Sequence, residues 1–196
     1  MEKKQAFIFF GASGSGKGTQ AELLEQYLKR VDTREVLRVE TGKRFRMLAE
    51  QDTYLGRLSA RITAEGGLQP TFLSVWNWTE AFMEDLKEDQ HLLIDGSPRR
   101  HREPPILESA FDFFEYDDVH VIFLNVDLGS MKDRMLNRAR QDDKSEKIDR
   151  RLAWFEEYVM PMLEYYRESD RYRFHEIDGN MSIEEVHQAI IASLAL

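Results

Sequence analysis

The stretch Ile8-Phe9-Phe10-Gly11-Ala12-Ser13-Gly14-Ser15-Gly16-Lys17-Gly18-Thr19-Gln20 decides the reading of this chain. It runs from a short apolar segment through a glycine-rich turn into residues of helical period. Gly11, Gly14 and Gly16 permit backbone angles that side chains forbid, so successive N–H groups can converge on a phosphate at the positive end of the following helix. Lys17 adds a point charge for the β- and γ-phosphates of a nucleotide. A flexible turn with an incidental lysine would not require strand, spacing, lysine and helix to occur together.

Outward from this loop, short β-rich runs alternate with longer helical stretches, the pattern of an α/β fold with a parallel sheet and helices on both faces. Strands are expected at Ala6–Phe10, Val36–Glu40, His91–Asp95, Val119–Val126 and Tyr172–Asp178. Leu24, Tyr27, Leu28 and Val31 recur at helical spacing, and Phe72, Val75, Trp76, Thr79, Phe82, Met83 and Leu86 continue a similar stripe. Ser182 with Glu185 three residues on reads as a capping box, followed by Ile183, Val186, Ile190 and Leu194 on one face of a last helix. Two polar stretches, Thr41 to Gln69 and Ala139 to Lys147, stand outside the alternation as excursions from the core.

Composition narrows the partners. With 196 residues, 42% of them hydrophobic and 32% charged, the chain suits one globular domain with no apolar run long enough to span a membrane. Lys3 and Lys4 precede only the short run Ala6 to Phe10, too little for a secretory signal. No cysteine is present, which removes disulfides and thiolate metal sites and suits a cytoplasmic address. A formal charge of −9 argues against nucleic-acid binding, so any anion bound here must meet locally concentrated cations. Arg134-Met-Leu-Asn-Arg138-Ala-Arg140 has three arginines and no acid. Arg134 and Arg138 lie on one helical face and repel each other, which an anionic ligand would relieve.

The strict phosphate loop carries Ser or Thr directly after the lysine, whereas here Gly18 stands there and Thr19 follows. Gly-Xaa-Xaa-Gly-Xaa-Gly-Lys-Gly-Thr-Gln resembles the loop of adenylate kinases and related nucleoside monophosphate kinases. The resemblance continues in order along the chain. Thr41-Gly42-Lys43-Arg44-Phe45-Arg46 is similar to the family's Thr-Gly-Asp-Xaa-Xaa-Arg, and Glu65-Gly66-Gly67-Leu68-Gln69-Pro70 to the segment closing its acceptor lobe. Leu92-Leu93-Ile94-Asp95-Gly96-Ser97-Pro98-Arg99 resembles its strand and Asp-Gly-Phe-Pro-Arg turn. Arg134, Arg138, Arg140, Asp142, Asp143 and Arg151 are similar in pattern to its lid and the helix beyond.

That resemblance implies a three-layer P-loop NTPase fold with a five-stranded parallel sheet. Its core would cover residues 1–40, 73–134 and 148–196, with a monophosphate-binding insertion at 41–72 and a short lid at 135–147. It implies transfer of the γ-phosphate of MgATP to a nucleoside monophosphate, AMP before others, by a monomer that engages neither membrane nor nucleic acid. Gly14, Ser15, Gly16, Lys17, Gly18 and Thr19 would bind the ATP phosphates and Arg134 its adenine. Thr41, Gly42, Arg46, Gln69, Gly96, Arg99 and Glu103 would bind the monophosphate, and Asp95 would hold Mg²⁺ through water. Lys17, Arg99, Arg138, Arg140 and Arg151 would neutralise the transferred group.

The chain departs from its relatives in three places. One residue separates Arg138 from Arg140, an unusually short lid that cannot carry a four-cysteine zinc. Lys43 replaces an aspartate and Ser97 a phenylalanine. Glu103 falls where a glutamine reads adenine; a carboxylate offers only acceptors, which suit the two donors on guanine's edge. GMP and pyrimidine monophosphates therefore remain as acceptors beside AMP, as does an inactive nucleotide sensor. A phosphate-loop kinase for a small alcohol fits less well, because the Thr-Gly and Asp-Gly-Ser-Pro-Arg stretches look built for a second nucleotide. Trp76, Trp78 and Trp154, with Met160 and Met162, read as helix packing, and His101 as a surface residue.

Overall fold

Five strands lie side by side, every neighbouring pair parallel, in the order β2-β3-β1-β4-β5. They are β1 (Ala6–Phe10), β2 (Val36–Glu40), β3 (His91–Asp95), β4 (Val119–Asn125) and β5 (Tyr172–Asp178). Each falls on its apolar run, β4 stopping at Asn125, one residue before the expected Val126. This computed structural model describes residues 3–138 and 145–196. The helices among these are α1 (Lys17–Val31), α2 (Thr41–Ala49), α3 (Tyr54–Ala64), α4 (Thr71–Asp85), α5 (Pro104–Phe113), α6 (Leu128–Arg138), α7 (Ser145–Trp154), α8 (Met160–Glu168) and α9 (Ile183–Leu194), with a π-helical turn at Phe155–Val159 between α7 and α8.

Alternation along β1 makes the three layers. Ala6, Ile8 and Phe10 share one core with Trp78 and Phe82 of α4, Leu107 and Phe111 of α5, and Leu163 and Tyr166 of α8. Phe7 and Phe9 share the other with Leu24 and Leu28 of α1 and Val186, Ile190 and Leu194 of α9. Each such side chain withdrawn from water is worth about 1.5–3 kcal/mol before the entropy of ordering it is subtracted. Strand order reverses around β1, so the loop leaving its carboxyl end opens at the switch point where α/β sheets bind ligands.

Two helical stripes differ from the sequence expectation. On α4, Phe72, Trp76 and Met83 are 69%, 39% and 77% exposed, while Leu73, Ser74, Asn77, Trp78, Ala81 and Phe82 form the buried face. Apolar residues surround that helix, so periodicity alone does not select a face; the hydrogen bond from Ser74 to the buried Glu103 fixes it instead. The α9 capping box is present, Ser182 Oγ accepting from Glu185 N while the Glu185 carboxylate accepts from Ser182 N. Ile183, expected in its packed face, is 61% exposed. The polar stretch after β2 forms α2 and α3, which pack on each other, and Thr53 caps α3 by accepting from Gly56 N at 2.9 Å. No helix among the described residues is long and apolar enough to cross a membrane.

His91 and His120, near the amino ends of β3 and β4, are buried, and His175 in the middle of β5 is half-buried. His91 Nδ1 accepts from Gln5 N at 3.1 Å, and His120 Nδ1 lies 3.0 Å from His175 Nε2. Burial pushes the pKa of all three down from 6.5, that of His120 to about 4. Above pH 6.5 these groups are neutral in folded and unfolded chains alike. As pH falls from there towards about 4, the unfolded chain takes up protons that the folded chain refuses, so stability is lost, roughly 3 kcal/mol through His120 alone. The urea midpoint of the parent should therefore fall by more between about pH 6.5 and about pH 4 than that of His120→Gln; equal falls in the two would contradict this assignment.

Candidate active site

The glycine loop sits at the carboxyl end of β1, pressed against α6. Gly14 has φ +85, and a Cβ on it would stand 2.5 Å from Met131 O, so no side chain fits there. Gly16 caps α1 with left-handed backbone, turning the chain so that α1 begins at Lys17. The Lys17 ammonium donates to Ala12 O at 2.9 Å, folding over the loop it serves. A Cβ on Gly18 would lie 3.4 Å from Asp95 Oδ2. The residue after the lysine thus faces a carboxylate on the next strand.

Asp95 ends β3, and the turn after it brings Gly96, Arg99 and Thr41 together. Gly96 has φ +91, and a Cβ there would stand 2.9 Å from Arg99 Nη2 and 3.0 Å from Thr41 Oγ1. Its missing side chain allows Arg99 Nε to donate to Gly96 O and Thr41 Oγ1 to donate to Asp95 O at 3.2 Å. Burial raises the Asp95 pKa, and the charges of Lys17 and Arg99 oppose the rise. Burial likewise works against the charge on Arg99, offset by Asp95 and Glu103. A guanidinium stays protonated in proteins all the same.

Loop, turn and lobe line one cleft of about 740 Å³, a size suited to small-molecule ligands. Lys17, Arg38, Lys43, Arg46, Arg99, Arg134 and Arg151 line it against Glu22, Glu40 and Asp95, seven cations to three carboxylates. In a chain of net charge −9 that concentration marks an anion site. Gly14, Ser15, Gly16, Gly18, Thr19, Gly42 and Gly96 line it as well. At the far end Met181 and Ile183 supply apolar surface beside Arg134, whose Nη2 donates to Gly179 O at 3.0 Å. Flat, apolar surface next to a guanidinium suits a nucleobase.

Three expected contacts are not brought into the cleft. Glu103 is 1% exposed and its Oε2 accepts from Ser74 Oγ at 2.9 Å and from Arg99 N at 3.3 Å. Burial raises its pKa, with both hydrogen bonds opposing. Its position just before α5 carries the carboxylate inward, so it holds the Arg99 turn rather than facing a base. Gln69 is buried, and its Nε2 donates to Ser59 O and Ser59 Oγ, both at 3.0 Å, and to Thr63 Oγ1 at 3.1 Å, closing α3. Thr41 is 1% exposed and ties α2 to β3. Arg140, Asp142 and Asp143 lie outside the described residues, and Arg138 is the last residue of α6.

Sequence reasoning missed Arg38, Glu40, Phe45, Trp154, Met181 and Ile183 as cleft residues. For Arg38 and Glu40 a signal was available: alternate residues at the carboxyl end of a strand beside the loop point to one side of the sheet. Arg38 bridges Glu25 and Glu40, at 3.0 and 2.6 Å. Among the described residues no group of three or more His, Asp or Glu stands together as a metal cage. Asp95, a hard oxygen donor facing the phosphate loop, suits instead a Mg²⁺ that brings its own water and phosphate ligands.

Comparison with known proteins agrees with this geometry. The family model described as Adenylate kinase matches residues 9–171, from inside β1 to the residue before β5. "Adenylate kinase" of Corynebacterium urealyticum is 30% identical over 187 residues, 95% of this chain and 97% of that one. "Adenylate kinase 1" of a Nostoc species is 31% identical over the same shares, and "Adenylate kinase" of Thermosynechococcus vestitus is 31% identical over 95% of each chain. A phosphate loop with glycine after its lysine, a second cationic lobe sharing the same cleft, and relatives that match nearly end to end place the chain in the adenylate kinase family.

Proposed function

We propose that this chain transfers the γ-phosphoryl group of MgATP to AMP, forming two ADP, within the cleft between the glycine loop and α2. The observation that carries this reading is the single cationic cleft with two ends. Lys17 at the glycine loop, Arg134 on α6, Arg46 on α2 and Arg99 on the turn after Asp95 all line it. A sensor for one nucleotide would not need them all. MgATP and a monophosphate together carry about four net negative charges, which the excess of cations in the cleft offsets. The relatives' printed name favours adenine as the acceptor base. The case for guanine rested on Glu103, whose carboxylate is committed to Ser74 and the Arg99 turn.

The residues act by placement. The loop N–H groups and Lys17 hold the donor phosphates; Arg46 and Arg99 hold the acceptor phosphate in line with the γ-phosphorus. An acceptor oxygen attacks as the bond to the β-phosphate oxygen breaks, so the γ-phosphoryl group moves and its leaving electrons stay on ADP. The acceptor phosphate has a second pKa of about 6 and is mostly ionised at neutral pH, so no general base is required. Lys17, Arg99 and Arg151 stabilise charge spread over the oxygens in transit. Asp95 would hold Mg²⁺ through water, and the ion would supply further neutralisation of the donor phosphates.

Lys17→Met and Arg99→Ala should each lower turnover about a thousandfold while leaving the thermal midpoint within a few degrees of the parent, because each removes charge aimed at the transferring group. Near-parental turnover in either folded variant would overturn the assignment. In a coupled assay with MgATP, AMP should be consumed faster than GMP, CMP or UMP, and a preference for GMP would reverse the choice of base.

A further inference from the structure

Trp154 is the last residue of α7, the helix that also carries Arg151. Its indole touches two separate parts of the acceptor side. The Arg99 guanidinium carbon lies 5.2 Å from the ring centroid, and the indole Nε1–H donates to Gly66 O at 3.2 Å. Gly66 belongs to the turn joining α3 to α4, where Thr63 and Gly67 line the cleft. That turn is seated along α7. A Cβ on Gly66, at φ +70, would lie 3.2 Å from both Cβ and O of Lys147, and Arg150 Nη1 donates to Glu65 O at 3.1 Å. Arg150 and the Glu65 carboxylate, 3.6 Å apart, are both more than half exposed, so their attraction is largely screened. Trp154 is half-buried and lines the cleft itself.

We propose that Trp154 is a positioning residue for the acceptor monophosphate. The inference rests on the reading above, in which Arg99 grips the acceptor phosphate. A guanidinium over an indole face is held flat, and tryptophan is the strongest ring for this contact. With Nε anchored on Gly96 O and its central carbon over the indole ring, Arg99 has two supports that hold its fork. Through Nε1 the same ring fixes the turn that closes the α2–α3 lobe. One side chain thereby sets the arginine and the lobe to a common reference on α7, so that both walls of the acceptor site keep register.

The test uses Trp154→Phe, which keeps a ring under Arg99 but removes the hydrogen bond to Gly66, and Trp154→Leu, which removes both. KM for AMP should rise about tenfold in Trp154→Phe, the factor one hydrogen bond supplies. In Trp154→Leu it should rise by a further factor of about five to ten, with kcat falling about tenfold as Arg99 loses its seat. KM for ATP should stay within about twofold in both, a split that general destabilisation would not produce. The order parent, Phe, Leu also separates ring from hydrogen bond. Either folded variant with a parental KM for AMP, or KM for ATP rising in step with it, would overturn the inference while the parent's turnover stands. If Trp154→Leu does not fold, Trp154→Phe decides alone. Absence of AMP-dependent turnover in the parent would overturn the proposed function and this inference together.

Discussion

Seven like charges in one cleft repel one another, and the architecture of this chain is arranged around holding them in place before a ligand arrives. Each of several cations rests on a partner that satisfies its N–H groups without cancelling the field of the cleft. Lys17 lies on Ala12 O, Arg134 on Gly179 O, and Arg99 on Gly96 O and the Trp154 ring. Carbonyl dipoles and an aromatic face stabilise a cation locally but leave its net charge available to phosphate. Arg38 bridges two carboxylates, Glu25 and Glu40, and the charge of Arg99 is partly offset by Asp95 and Glu103. Such preorganisation places the cost of gathering charge on folding, so that little reorganisation remains when the phosphoryl group moves.

The sheet makes that cost bearable. β1 is covered on both faces by separate apolar cores, so the strand from which the glycine loop leaves is held in place by packing. Asp95 ends the neighbouring strand β3, and the close approach of Arg99 and Thr41 to Gly96 joins the acceptor turn to that same rigid edge. The glycine loop and the Asp95–Arg99 turn thus leave from adjacent parallel strands, β1 and β3.

How far this could be read from the residues depended on whether a feature is local. The loop, the strands and the α9 capping box are local patterns, and each forms where its pattern lies. Which way a side chain points after a turn is not local. Glu103 occupies a position that resembles a base reader, yet the chain entering α5 carries it inward to Ser74, and nothing in Arg100-His101-Arg102-Glu103 distinguishes the two directions. The same holds for Gln69, drawn under α3, and for Thr41, drawn to β3. On α4 the apolar residues encircle the helix, and the buried face is chosen by its neighbours. Trp154 and Ile183 carried the signature of packing but stand at the cleft, because both lie at helix ends that face the sheet's carboxyl edge.

The central claim is that one cleft binds two nucleotides at once. Calorimetric titration with a dinucleotide of two adenosines joined by five phosphates addresses it directly, since such a molecule spans donor and acceptor ends together. The expected result is one molecule bound per chain, far more tightly than ATP, and displaced in competition by ATP and by AMP. Binding no tighter than ATP and indifferent to AMP would contradict the account, for it would mean that the cations around Arg99 and Arg46 serve no second nucleotide.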